Sequence, residues 1–187
     1  MDIREAQLEL RTVYMGGFAG QLVSGILWLA SAALCTWAAP KYGMWGLFLG
    51  GLLIFPLTQL TLRLLGGQGA LRPENPLNQL AMEVAFTVPI GFLLVGAASL
   101  ARVDWFYPAA MVVVGAHYLP FCFLYGMKQF ALLAGLMIVG GILFGLYLPV
   151  PFSAGGWAGG ILLLLAAIGG RMFIFHEKKE KYSSRFS

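Results

Sequence analysis

Six apolar runs, each long enough to cross a lipid bilayer as a helix, leave this chain very few ways to fold. They fall at Tyr14–Ala39, Tyr42–Leu65, Leu80–Ala101, Phe106–Met127, Gln129–Leu148 and Ala154–Phe175. A hydrocarbon core about 30 Å thick takes about 20 residues of helix, and lipid offers the backbone no hydrogen-bond partners, so each run must close its own bonds. The expected fold is all-α: one polytopic membrane domain over residues 1–187 with six transmembrane helices and a charged tail, 176–187. Only 11% of the residues are charged, against about 25% in soluble domains, which excludes an ordinary soluble protein.

The first run is longer than a cleaved secretory signal's apolar region, and its leader MDIREAQLELR carries three acids against two arginines, so it reads as a permanent span. Six spans put both ends on one side. Arg4, Arg11, Arg63, Arg72, Lys128, Arg171, Lys178, Lys179, Lys181 and Arg185 then share that side, while only Lys41 and Arg102 lie opposite. Ten against two marks the terminal side as cytoplasmic, at a bacterial inner (cell) membrane. Four of the five tryptophans, Trp37, Trp45, Trp105 and Trp157, gather at the other interface, where amphipathic rings are favoured. The net charge of +4 is topology signal and attraction to anionic lipid, and it gives no indication of nucleic-acid binding. Cys35 and Cys122 lie at different depths and are expected to remain free thiols.

Glu83 is the one acidic residue inside a long apolar run, in NPLNQLAMEVAFTVPIGFLLVGAASLA (Asn75–Ala101). Asn75 and Pro76 suit a helix start, and Asn75, Gln79, Glu83, Thr87, Gly91, Leu94 and Ala98 then form one stripe, along which a buried partner is expected. Arg63, one turn inside the second span, and Lys128 are the candidate counter-ions. Gln21 heads a second stripe, Gly17, Gln21, Ser24, Trp28, Ser31 and Cys35, that should face protein and give Gln21 an interhelical hydrogen bond. Gln59 follows Pro56, Pro89 follows Glu83, and His117 precedes Pro120. Prolines in three consecutive spans are tolerated where neighbours or water satisfy the freed carbonyls. Glu83, Arg63, His117, Gln59, Gln21 and Lys128 are therefore the candidate solute- or ion-binding residues, in the cytoplasmic half.

Glycine pairs at GxxxG spacing, Gly16/Gly20, Gly46/Gly50, Gly141/Gly145, Gly155/Gly159 and Gly156/Gly160, should let helices approach closely, within one chain or between copies. Residues 1–12 read as a short amphipathic helix with Ile3, Leu8 and Leu10 for the bilayer surface. Gly66–Gln79 reads as a turn-rich linker. GLFLGGLL from Gly46 and GLMIVGGIL from Gly135 hint at an internal repeat.

At NPL (Asn75–Leu77), WFYPA (Trp105–Ala109), LYGM (Leu124–Met127) and AGG (Ala154–Gly156), the chain resembles a group of uncharacterised bacterial membrane proteins with six spans. That resemblance implies a bacterial inner-membrane setting and assigns no activity or residue role. The residues themselves favour binding or transport of a small solute or cation, with Glu83 taking up a proton or the cation. The alternative is a non-catalytic assembly subunit, a homo-oligomer or the partner of an unrelated membrane subunit, packed through its glycines. No HExxH pair, GxSxG turn or second intramembrane carboxylate is present, so neither an enzyme nor a metal or other cofactor is expected.

Overall fold

The computed structural model describes residues 1–67 and 69–183, the last seven of them by backbone alone. Seven α-helices follow one another: α1 (Ile3–Val13), α2 (Phe18–Trp37), α3 (Pro40–Leu64), α4 (Asn78–Ala101), α5 (Phe106–Tyr125), α6 (Gln129–Leu146) and α7 (Ala154–Ser183). Among the described residues there is no strand, and α2 to α7 correspond to six segments long and apolar enough to cross a membrane. The six expected spans and the all-α class are thus the fold of this protein. Helix α7 continues into the charged tail as far as Ser183; residues 184–187, including Arg185, and Gln68 lie outside the described residues.

Packing follows the small residues. Helices α2 and α3, α2 and α7, α5 and α6, and α4 and α5 make the extensive pairs, whereas α3 and α4 barely touch. The bundle is therefore a ring of helices with one thin seam between α3 and α4. Trp28, Tyr107, Met111, Phe130, Met137 and Leu163 fill the middle, each 2% exposed or less. A Cβ added at Gly141 would lie 2.6 Å from the Pro108 carbonyl oxygen, and one at Gly160 2.7 Å from Leu29 Cδ2. At Gly155 and Gly156 it would meet Tyr107 at 2.7 Å, and at Gly159 it would run into the Trp28 ring. Gly145 rests on Pro108 and Gly50 on Leu27, and Gly46 lies in ordinary contact with Leu34. These glycines are occupied within the chain, so any contact between copies has to use other surfaces.

Two glycines of the expected ridges do something else. Met15, Gly16 and Gly17 form a short turn with φ of 51°, 66° and 83°, a left-handed stretch that glycine adopts without steric cost. Gly16 is consequently no part of a helical ridge with Gly20. Instead the turn swings the chain from α1 into α2, and Gly20, whose added Cβ would lie 3.8 Å from Thr58, is only in ordinary contact with α3.

Near the opposite end Ser31 Oγ donates to the Gly43 carbonyl (2.8 Å) and sits 2.5 Å from the Tyr107 hydroxyl. This buried polar knot ties α2, α3 and α5 together. Cys35 and Cys122 are free, as expected.

Of the α1 residues expected to meet the bilayer surface, Leu10 faces protein instead, while Ile3 is exposed. Asp2 and Glu5 close its first turn as a reciprocal capping box, and Ala6, Leu10 and Val13 are buried against the end of α5. Gln7 Nε2 donates to the Phe123 carbonyl, and Arg11 donates to the carbonyls of Tyr125 and Gly126. An apolar stripe reads the same whether it meets lipid or protein; here the unclaimed carbonyls of α5 decide for protein. The linker joins the same contact. Glu9 accepts from the Arg72 backbone N–H (2.8 Å), the Arg72 side chain (3.2 Å) and Asn75 Nδ2 (3.0 Å). Asn75 Oδ1 in turn accepts from Leu77 N–H (2.9 Å), so it shapes a turn and α4 begins two residues later than expected.

The Arg72 N–H, ahead of the Asn75 amide and the Arg72 charge, holds the Glu9 carboxyl below its ordinary value of 4.5, against a smaller opposing effect of partial burial. A depressed acid stabilises the fold above its unfolded value and loses that contribution as pH falls through the folded one. Melting temperatures of wild type and Glu9→Gln should thus differ most above about pH 4.5 and converge below it. A gap that does not change with pH would show that the carboxylate does not hold the linker.

Candidate functional site

Four helices frame a half-open cavity of about 190 Å³ at the α1 end of the bundle, largely apolar but with several polar side chains in its wall. Gln21 and Ser24 enter from α2, Thr58 and Gln59 from α3, Asn78 and Ala85 from α4, and His117, Tyr118, Phe121 and Tyr125 from α5; Leu10 and Tyr14 contribute from α1 and the turn after it. Local sequence explains each placement. The left-handed turn starts α2 one turn before Gln21. Gly20 has no side chain to fill the space beside Thr58. Pro56 and Pro89, which cannot donate to the carbonyls four residues back, free those of Leu52 and Ala85, and Ala85 lines the cavity.

Gln21 is the centre of this arrangement. It is 2% exposed, yet neither its Nε2 nor its Oε1 has a hydrogen-bond partner, and Thr58 Oγ1 is likewise unpartnered. Leaving a buried amide unsatisfied costs about 1–3 kcal/mol per group. The α2 stripe faces protein as expected, with Gln21, Ser24, Trp28 and Ser31 all buried, but the expected interhelical hydrogen bond from Gln21 is not formed.

His117 is held from one side. Thr87 Oγ1 donates to the Val84 carbonyl (2.7 Å) and sits 2.9 Å from His117 Nδ1. With its own proton committed, that hydroxyl accepts from Nδ1–H, which leaves Nε2 as the ring's acceptor. Aromatic rings complete the wall. Tyr118 stacks on Phe130 at 12° between planes, Phe121 stacks on Tyr125 at 11°, and the His117 and Phe121 ring centres are 4.9 Å apart.

The structure divides the six candidates in two. Gln21, Gln59 and His117 come together around the cavity. Glu83, Arg63 and Lys128 are exposed and do not line it. Glu83 accepts instead from Gln79 on its own helix (2.8 Å), and among the described residues no ion pair joins it to Arg63 or Lys128. Its stripe meets α5 at Thr87 and Gly91, the latter against Val113. The carboxylate is thus set on the outside of the bundle, with no buried partner. Sequence reasoning passed over Thr58, Asn78 and Tyr14. The first two stand next to Gln59 and Gln79, polar neighbours at the ends of apolar runs, which is a signal that could have found them.

Among the described residues no group of three His, Cys, Asp or Glu side chains could hold a metal ion. The arrangement can form hydrogen bonds to, and stack against, an uncharged molecule. Residues 3–172 match a family described only as a family of unknown function, DUF7010. No curated protein and no solved structure gives a significant match.

Proposed function

Because the chain belongs to this family of unknown function, DUF7010, which carries no activity to inherit, we propose from geometry that it is a membrane protein that binds a small uncharged solute between α2, α3, α4 and α5. The observation that carries this reading is the orphaned amide of Gln21, buried at the wall of a largely apolar cavity. Both atoms of a buried amide are retained at a cost unless something completes their hydrogen bonds.

The absence of charged side chains from the lining favours a solute over a cation, since an ion there would be desolvated without a counter-charge. Passage is part of the proposal. The seam between α3 and α4 is the thinnest wall, and each of these helices carries an internal proline. Movement of either helix would open the cavity without disturbing the extensive α2–α7 and α5–α6 contacts. We place both chain ends on the cytoplasmic side of a bacterial inner membrane, on the ten-to-two division of basic residues. The cavity then lies in the cytoplasmic half of the bundle.

A thermal-shift screen of small solutes on the purified protein tests this. A solute at 100 times its dissociation constant stabilises by about 2.7 kcal/mol. Stabilisation should be seen in wild type and in Gly135→Ala, where an added Cβ meets nothing within 4 Å, and should be lost in Gly20→Leu, whose side chain would occupy the space beside Thr58. Equal stabilisation of wild type and Gly20→Leu would rule out this cavity as the binding site.

A further inference from the structure

The unpaired atoms of the cavity also specify an edge. Resting on the solute-binding reading above, we propose that the ligand is a neutral, flat heteroaromatic molecule with a hydrogen-bond donor and acceptor side by side, as on a lactam.

Three observations converge on that class. A carboxamide presents an acceptor oxygen and a donor nitrogen on adjacent positions, and in Gln21 both lack partners at 2% exposure. The group that completes both at once is another amide-like edge of opposite order. A hydrocarbon would leave both atoms unsatisfied, and a single hydroxyl would leave the geometry half used. Charge is the second constraint. Glu83, Arg63 and Lys128 stay outside, so a carboxylate or an ammonium would enter without a counter-ion, the most costly form of burial.

Shape is the third. Tyr118, Phe121, Tyr125 and Phe130 form two near-parallel ring pairs beside Gln21, a wall that favours another flat ring through offset or edge contacts. The cavity of about 190 Å³ slightly exceeds the about 150 Å³ that admits benzene in an engineered protein, which suits one substituted ring or a small fused pair. Thr58 Oγ1, also unpartnered, can serve a further polar atom on the ring.

The probes are 2-pyridone, which has the donor–acceptor edge; N-methyl-2-pyridone, in which a methyl group replaces the donor hydrogen; and benzene, which has no edge. Dissociation constants are measured by calorimetry on wild type, Gln21→Met and Gly20→Leu in the same detergent, with Gly20→Leu reporting partition into the micelle. Wild type should bind 2-pyridone at least tenfold more tightly than N-methyl-2-pyridone. In Gln21→Met the ratio should fall to near one, while benzene binding survives and so shows that the variant keeps its cavity. If wild type binds the two pyridones equally, or benzene most tightly, the lactam edge is wrong and the solute-binding reading stands. If none of the three binds wild type above the Gly20→Leu background, the Gln21 amide is satisfied by water alone, and both readings fall.

Discussion

Gly141→Ala is expected to lower the stability of the purified protein by about 1–3 kcal/mol, the usual cost of adding a methyl group to a packed core. The magnitude follows from what the methyl group meets. A Cβ at Gly141 would stand 2.6 Å from the Pro108 carbonyl oxygen, 2.9 Å from Val112 Cγ2 and 3.1 Å from Met111 Cβ. The closest of these is backbone, which has no rotamer to change, so relief requires α5 and α6 to separate. Their contact is the most extensive in the bundle, and separation forfeits dispersion contacts along both helices, the principal attraction between helices in lipid. Gly141→Leu, with no path out of the interface, should cost at least about 3 kcal/mol and leave little folded protein in a size-exclusion profile.

The control lies on the same helix. Gly135 has nothing within 4 Å of its would-be Cβ, and Gly135→Ala should melt within about 1 kcal/mol of wild type, on the stabilising side if helix propensity alone acts. Equal losses at the two positions would mean that glycine content, not the α5–α6 contact, sets the stability.

That contrast also shows where sequence reasoning stopped. GxxxG spacing identified Gly141 and Gly145 but equally Gly16 and Gly20, one of which lies in a left-handed turn and the other beside a cavity. Spacing records that two small residues share a helix face; it does not record whether another helix lies across from them. The spans themselves were legible because their length is set by the bilayer and their boundaries by aromatic and charged residues. Helix rotation was legible for α2, where Gln21, Ser24 and Ser31 mark one face against an apolar remainder.

It was not legible for α4. In lipid the outward face is as apolar as the inward one, so a single stripe through Glu83 could point either way. Phe86, Ile90 and Leu93 are exposed and Val84, Phe92 and Val95 buried, an assignment that no hydropathy pattern separates. Half of the candidate residues share one cavity and half do not. His117 sits well inside its span, where an unpaired polar group is costly and must face protein. Gln21 and Gln59 lie as near their helix ends as Glu83 does, so depth alone does not predict their inward direction. Glu83, Arg63 and Lys128 sit near the ends, where water and headgroups are in reach and an outward direction is tolerated.

Arg11→Ala should release α1 from the bundle and cost about 1.5–3 kcal/mol, the range for hydrogen bonds made by a charged group. Arg11 donates to the carbonyls of Tyr125 and Gly126, where α5 ends at a left-handed Gly126 with φ of 58°. Those carbonyls have no helical donors, and the negative end of the helix dipole adds to their attraction for a cation. Lysine keeps the charge but not the planar fork that reaches two oxygens together, so Arg11→Lys should recover only part of the loss. The consequence reaches the cavity, because Leu10, 1% exposed, and Tyr14 line it from below. With α1 undocked, its amides should exchange with solvent at least tenfold faster, while those of α6, which α1 does not support, keep their protection. A ligand held in the cavity should then leave faster from Arg11→Ala than from wild type, since the floor is gone while Gln21 and the ring wall remain. Unchanged exchange in α1 would show that the apolar contacts of Ala6, Leu10 and Val13 hold it alone, and that the arginine only orders the end of α5.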